Sequence, residues 1–136
     1  MELLAVQVLP CTKGEQGEDV VQLAGPDLST CHWRVFLRRR DGLEDTGHAG
    51  RERYAHDKAL ELAAVHGLGI DPYPWAPTPL LTACAVAVRT TYGYDLFDAG
   101  VTSEQDLHEL GITDVSQASR FASGFGAKHG LERIDV

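Results

Sequence analysis

The residues best suited to chemistry in this chain are six histidines and three cysteines, and their spacing matches no metal site. Cys31 and His32 are neighbours in a predicted strand, so their side chains point to opposite faces and do not share an ion. His56 and His66 are ten residues apart, which is wider than the ligand pairs typical of zinc sites. We therefore predict no metal and no cofactor.

Nucleophilic catalysis has an equally weak basis in the sequence. Cys11 lies in a predicted glycine-containing loop, where three nearby acids would raise the pKa of its thiol. Ser123 lies in a predicted helix and not on the strand-to-helix turn of a nucleophile elbow. We predict no catalytic residue. The alternative is a small enzyme whose acid–base side chains are dispersed in the sequence and meet in a pocket of the fold.

A run of carboxylates between positions 95 and 114, which we call the acidic segment, is the main candidate for a binding surface. Its six acids have no Lys or Arg among them. They are Asp95, Asp98, Glu104, Asp106, Glu109 and Asp114. Such a surface favours a basic protein partner and disfavours nucleic acid and anionic membranes. The candidate partner-binding residues are Asp95, Asp98, Asp106 and Glu109.

A basic stripe on the third predicted strand gives an alternative binding face. It consists of Arg34, Phe36, Arg38 and Arg40, which alternate with apolar residues and so share the expected solvent face. With its strand–strand–strand–helix context, the stripe resembles the small arm-binding domains of phage integrases, which implies nucleic-acid binding by the sheet. Acids on neighbouring strands, such as Glu2, Glu18 or Asp19, would instead neutralise the arginines. The net charge of −8 makes nucleic acid the less favoured partner.

Residues 107–113, with Ala118 and Phe121, resemble helix-hairpin-helix modules that bind DNA phosphates and, in outline, the last two helices of SAM domains. Helix-hairpin-helix proteins carry a second glycine at the position of Thr113, because bare backbone amides meet the phosphate. That glycine is missing here, and the acidic segment would repel a phosphate. We interpret the region as two capped helices joined by a glycine turn.

The strands that must position these residues are predicted in the N-terminal half. Glu2–Leu9 is apolar on both faces, which indicates a central strand, and Pro10 is expected to end it. Asp19–Ala24 is a short second strand closed by a turn at residues 25–27, and Cys31–Arg40 is a third strand. Residues 43–53 are expected to form a loop or an irregular hairpin arm.

Two longer helices follow. The first, Arg53–His66, is predicted to end at Gly67 and to bury Tyr54, Leu60, Leu62, Ala63, Ala64 and Val65. The second, Pro79–Tyr92, is the most apolar stretch, with Thr78 as its cap, proline at its first position and Gly93 as its end. At about 20 Å this helix is too short to cross a bilayer.

Two shorter helices are predicted near the C-terminus. A capping box formed by Thr102 and Gln105 opens the first of them. Thr113 or Asp114 caps the last helix, which is expected to bury Val115, Ala118, Phe121, Ala122 and Phe125.

These patterns predict one α+β domain over residues 1–136: a small, mainly antiparallel sheet of about three strands packed by helices, with a helical C-terminal half. Residues 1–67 form its strand-rich half and first helix, 68–78 a Pro-rich connector, and 79–136 the helical half. The start of the chain lacks a signal-peptide pattern and the cysteine count is odd, so we expect a cytoplasmic protein with free thiols.

The function predicted from the sequence is a non-catalytic protein-binding module, a regulator or inhibitor that acts on a basic partner through an acidic surface. Small acidic chains of this kind are common among phage and mobile-element proteins that block a nucleic-acid-handling partner. The sequence predicts no oligomeric state.

Overall fold

The computed structural model describes residues 2–24, 31–93, 95–97, 100–118, 120 and 124. The chain divides into two compact units, Met1–Pro74 and Trp75–Val136, which we call unit 1 and unit 2. Their boundary lies within the Pro-rich segment 68–78. The predicted turn at residues 25–27, the acid Asp98, and the apolar residues Phe121, Ala122 and Phe125 lie outside the described residues.

Unit 1 is built on a four-stranded antiparallel sheet in the order β2–β1–β3–β4. The strands are β1 (Leu3–Lys13), β2 (Asp19–Val21), β3 (His32–Arg39) and β4 (Gly42–Gly50). β1 lies between β2 and β3, in the central position that its two apolar faces predict. Helix α1 (Glu52–His66) packs against this sheet and two further helices lie in unit 2, so the predicted α+β class is confirmed.

β1 continues through Pro10 to Lys13, so the prediction that Pro10 ends the strand is wrong. Proline has no N–H to donate, and in a strand the N–H and C=O of one residue point to the same side. The carbonyl of Pro10 accepts a hydrogen bond from the N–H of Gln22 at 2.9 Å, which places the missing donor on the β2 side. β2 ends at Val21, so the proline falls just beyond its regular pairing.

β4 forms where the sequence predicted a loop or an irregular hairpin arm, and this is the second correction. Its nine residues include three glycines and show no apolar alternation. β4 pairs with β3 at both of its ends, and an irregularity opposite Val35 interrupts the register. There Gly47 has a φ of +84°, and the Thr46 hydroxyl donates to the carbonyl of Val35 at 2.8 Å. The neighbouring backbone of β3 therefore creates a strand that local sequence does not predict.

Helix α1 (Glu52–His66) packs against β1, β3 and β4 with a face that shares only the buried Ala63 with the predicted one. Its buried residues are Glu52, Ala55, Ala59 and Ala63. Tyr54, Leu60 and Val65, which were expected in the core, are 44%, 52% and 78% exposed. The prediction assumed that the largest apolar side chains face the sheet. The sheet already contributes large buried side chains such as Trp33, so small alanines fill the remaining space.

The first helix of unit 2, α2 (Pro79–Tyr92), has the predicted bounds. The hydroxyl of Thr78 accepts a hydrogen bond from the N–H of Leu81 at 3.2 Å, and Pro79 takes the first helical position. Gly93 ends the helix with a φ of +73°. Most of α2 is buried, including one charged residue, Arg89.

Helix α3 (Glu104–Glu109) has a cap different from the predicted one. The N-cap is Ser103, whose hydroxyl accepts from the N–H of Asp106 at 3.2 Å. Asp106, and not Gln105, provides the return contact, because its carboxylate accepts from the N–H of Thr102 at 2.9 Å. Serine and aspartate thus replace the predicted pair one residue further along the chain, in a variant of the capping box whose return contact is made by the residue before the cap.

The last predicted helix has a described first turn over residues 115–118. Asp114 is its cap, because its carboxylate accepts from the N–H of Gln117 at 2.8 Å. Ala118 is buried as predicted, whereas Val115 is 38% exposed.

Candidate functional site

Asp95, the first residue of the acidic segment, follows the glycine that ends α2 and has two contacts within unit 2. Its Oδ1 accepts a hydrogen bond from the N–H of Phe97 at 3.0 Å. The same oxygen lies 3.7 Å from Nη2 of Arg89, whose side chain is 0% exposed. A guanidinium removed from water needs negative charge nearby, because an isolated buried charge is costly. Asp95 therefore has an internal role, and its part in partner binding stays a prediction.

Asp106 also has an internal role, as the acid that holds the start of α3. Hydrogen bonds from Thr102 and Ser103, above all the one from the backbone N–H of Thr102, lower the pKa of the Asp106 carboxyl below its ordinary value. The carboxylate stays ionised at neutral pH and contributes negative charge at the helix N-terminus, where the dipole favours it.

Glu109 is the predicted binding residue that the structure places most openly, since it lies exposed at the last position of α3. A carboxylate at a helix C-terminus is slightly unfavourable for the helix, so its position has no structural reason of this kind. Glu104, at the first position of the same helix, is partly exposed, and Asp114 is exposed beside its cap contact. α3 and its flanks thus bring carboxylates to the surface of unit 2.

The acidic segment contains no basic residue of its own to balance the negative charge of this surface. The sequence has no Lys or Arg between positions 90 and 119. The cation that precedes this stretch is Arg89, and it is buried inside unit 2. Arg89 partly neutralises the charge of Asp95, and this contact lies inside unit 2. The electric field of such exposed carboxylates extends into the solvent over about a Debye length of 8–10 Å.

The alternative basic face has a different electrostatic character from the predicted one. Arg34 contacts Asp19 at 2.9 Å and Asp45 at 2.9 Å, so two carboxylates balance one guanidinium. Arg38 forms a two-bond ion pair with Asp71. Arg40 lies beyond the end of β3 and is 3.6 Å from Glu2.

Phe36, the aromatic member of that face, is only 8% exposed and packs with Leu9 and Cys11. A buried ring offers no stacking platform for a nucleic-acid base. The ion pairs described above, with Asp19, Asp45, Asp71 and Glu2, also reduce the net positive charge of this face.

Asp19 in β2 is the centre of the charge network on that side of the sheet. It accepts a hydrogen bond from Lys13 at 2.8 Å and lies 3.2 Å from Nε2 of His32, in addition to its contact with Arg34. The Lys13 hydrogen bond is the main cause that lowers the pKa of the Asp19 carboxyl. Opposite charges on adjacent strands stabilise this antiparallel pairing.

Two of the three cysteines, Cys11 and Cys84, are unsuited to nucleophilic chemistry in this fold. All three lie in the described part of the chain, and none forms a disulfide there. Cys11 was expected in an exposed loop but is buried in β1, because the strand continues past Pro10. Burial raises the pKa of the Cys11 thiol to about 11, with Asp19 adding to the shift, and burial likewise raises the pKa of Cys84 to about 11. Both thiols are protonated at neutral pH.

A buried carboxylate at the start of α1 is the feature that sequence reasoning missed. Glu52 is 1% exposed and accepts a hydrogen bond from the hydroxyl of Tyr73 at 2.5 Å. His56 lies one turn further along α1, and burial lowers the pKa of its imidazole. No local signal marks Glu52, since an acid in the first turn of a helix is ordinarily exposed. The hydrogen bond between Tyr73 and Glu52 connects α1 to the segment after it.

Unit 1 has a pocket at the turn between its last two strands. It is open, has a volume of about 360 Å³, and two of its lining residues, Arg39 and Glu44, form an ion pair at 3.3 Å.

Within the part of the chain that the structure describes, no three His, Cys, Asp or Glu side chains gather as metal ligands. Across the same residues, no helix has the length and apolar character needed to cross a bilayer.

Comparison with known proteins adds no further assignment. No protein-family model, curated protein or solved structure matches this chain.

Proposed function

We propose that this chain is a non-catalytic protein-binding module, a regulator or inhibitor whose acidic segment binds a basic patch of a partner protein. The surface consists of the carboxylates of α3 and its flanks, with Glu109 at its centre. It acts in the cytoplasm on a partner whose basic patch itself handles nucleic acid, as small acidic proteins of phages and mobile elements do.

The observation that carries this proposal is the burial of Arg89. This residue lies six positions before the acidic segment, and it is 0% exposed and held by Asp95 inside unit 2, whereas Arg120, six positions after the segment, is exposed. The acids of α3 are left without a neighbouring surface cation in residues 90–119. Such a surface raises the rate at which a basic partner is encountered and suppresses encounter with acidic ones.

The competing nucleic-acid function has less support. Its candidate residues Arg34 and Arg38 are engaged by acids of unit 1, and Phe36 is buried among apolar side chains. A net charge of −8 adds a repulsive contribution to any approach to a phosphate backbone.

Affinity capture from an extract of the source cell, followed by mass spectrometry, tests the proposal when three matched baits are compared. The wild type is the first bait. The second, the α3 variant, carries Glu104→Gln and Glu109→Lys and leaves the structural acids Asp95 and Asp106 unchanged. The third, the control variant, carries Glu15→Lys and Asp41→Asn at exposed turns of unit 1. Both variants change the net charge from −8 to −5, so they differ in where the charge is removed.

We expect one basic protein to be enriched on the wild-type and control baits and depleted on the α3 variant. Raising the salt concentration should weaken the enrichment, because screening reduces attraction between exposed charges. Equal enrichment on all three baits would show that the partner uses another surface. Capture of nucleic acid in place of a basic protein would contradict the proposal.

A further inference from the structure

The outward face of α1 carries exposed apolar side chains near both ends of the helix. Tyr54 and Val65 are 44% and 78% exposed, whereas Ala55, Ala59 and Ala63 of the same helix face the sheet. Large apolar side chains on the solvent side of a helix, with small ones on the core side, invert the usual amphipathic pattern. Such a face is typical of a protein–protein contact surface.

One stripe of this face has a definite order of side chains. Tyr54, Lys58, Glu61 and Val65 recur at intervals of four, three and four residues, which places them on one side of the helix. Along this stripe, which we call the α1 stripe, the side chains are therefore apolar, basic, acidic and apolar in order. Its members are exposed or partly exposed along the whole length of the helix.

Contacts within the chain hold the α1 stripe in place. Nζ of Lys58 lies 5.7 Å from the ring centre of Tyr54 and 3.3 Å from the carboxylate of Glu61. The Tyr54 ring also packs against Gly50, where a Cβ atom would lie 3.1 Å from the ring. A side chain fixed before binding loses less conformational entropy on association, so the stripe is preorganised for a contact.

We propose that the α1 stripe binds the α1 stripe of a second copy of this chain, with the two helices antiparallel about a twofold axis. The midpoint between Tyr54 and Val65 is also the midpoint between Lys58 and Glu61, and it falls between Ala59 and Leu60. An antiparallel pair centred there places Tyr54 against Val65 of the second copy. It also places Lys58 against Glu61 of the second copy, and symmetry repeats both contacts.

Charge complementarity is what identifies a second copy as the occupant. A twofold contact must be complementary to itself, and the α1 stripe meets this condition in both its apolar and its charged members. The antiparallel arrangement also brings opposite ends of the two helix dipoles together.

The size of the surface predicts a weak dimer. A helix of 15 residues is about 22 Å long, and two such helices bury less than the roughly 1,200–2,000 Å² of a stable interface. We therefore expect a reversible monomer–dimer equilibrium. The contact does not use the acidic segment, so the dimer and the proposed function can fail independently.

Sedimentation equilibrium tests this proposal on the full chain. Between about 10 μM and about 1 mM, the weight-average mass of the wild type should rise from that of the monomer toward that of the dimer. Lys58→Glu and Glu61→Lys each place like charges opposite each other twice, and each should weaken the dimer about tenfold. An equimolar mixture of the two variants restores opposite charges in both contacts. The mixture should therefore recover association to within about threefold of the wild type.

A third variant keeps the test informative if a charge reversal disturbs the helix. Val65→Glu changes the most exposed apolar residue of the α1 stripe and should abolish association, because it opposes a charge to Tyr54. The α3 variant should dimerise as the wild type does. A wild type that stays monomeric throughout would overturn the proposal. So would a mixture of the two charge variants that associates no better than either alone.

Discussion

The hydroxyl of Tyr73 donates a hydrogen bond of 2.5 Å to Oε2 of Glu52, and both side chains are at most 2% exposed. Tyr73 also packs on Trp33 of β3, with 5.3 Å between the ring centres. The segment that contains Tyr73 also hydrogen-bonds to the part of β1 that β2 does not cover, where the N–H of Asp71 donates to the carbonyl of Val6 at 2.8 Å. Tyr73 therefore joins the sheet, the start of α1 and the last segment of unit 1.

Tyr73→Phe should lower the free energy of unfolding by about 1.5–3 kcal/mol, because a buried carboxylate loses a hydrogen-bond donor. Urea denaturation of the full chain measures this change. Tyr54→Phe is the matched control, since the same atom is removed from a side chain that is 44% exposed. Equal stability of the two variants would mean that the Tyr73 hydroxyl contributes nothing to the fold.

Asp95→Asn should also destabilise the protein, by about 3 kcal/mol, because the buried guanidinium of Arg89 loses a negative charge close to it. Glu109→Gln removes the same charge from an exposed position and should change stability by less than about 0.5 kcal/mol. Thermal unfolding of both variants beside the wild type makes the comparison. If Asp95→Asn is as stable as Glu109→Gln, Asp95 is a surface acid and not a structural one.

The three thiols should react at different rates in the folded protein. Burial raises the pKa of Cys11 and Cys84 to about 11, which keeps both protonated and shielded, whereas Cys31 is partly exposed. An alkylating reagent at about pH 8 should therefore modify Cys31 first, and denaturant should make all three reactive. Peptide mapping by mass spectrometry identifies the modified residues. Rapid labelling of Cys11 in the native state would contradict its burial in β1.

The sequence predicted those parts of the fold that depend on local signals. The bounds of α2 were correct because Thr78, Pro79 and Gly93 each act on the nearest backbone groups. The end of α1 at Gly67 is confirmed for the same reason, since its left-handed conformation lets Leu68 donate to the carbonyl of Ala63.

Features set by neighbours distant in the sequence were not predictable in this way. β4 exists because the backbone of β3 pairs with it, although its own sequence is rich in glycine. The buried face of α1 follows from the volume that Trp33 and other sheet residues occupy, which periodicity along the helix does not reveal.

In the candidate site, too, features with a local signal were predictable and contacts that depend on the fold were not. The carboxylates of the acidic segment were evident from composition, but the capping role of Asp106 was not, because the predicted cap of α3 lay one residue too early. The contact of Asp95 with Arg89 was not evident, because it depends on how the chain turns after Gly93.

The central claim is that the carboxylates of α3 steer a basic partner protein to this chain. It is tested most directly by the association rate constant of the captured partner, measured by surface-binding kinetics at low and at high salt. At low salt the α3 variant should associate about tenfold more slowly than the wild type, while the control variant should keep the wild-type rate. At about 0.5 M salt the three rates should converge, because the Debye length is then only about 4 Å. An α3 variant that associates at the wild-type rate in low salt would contradict the claim.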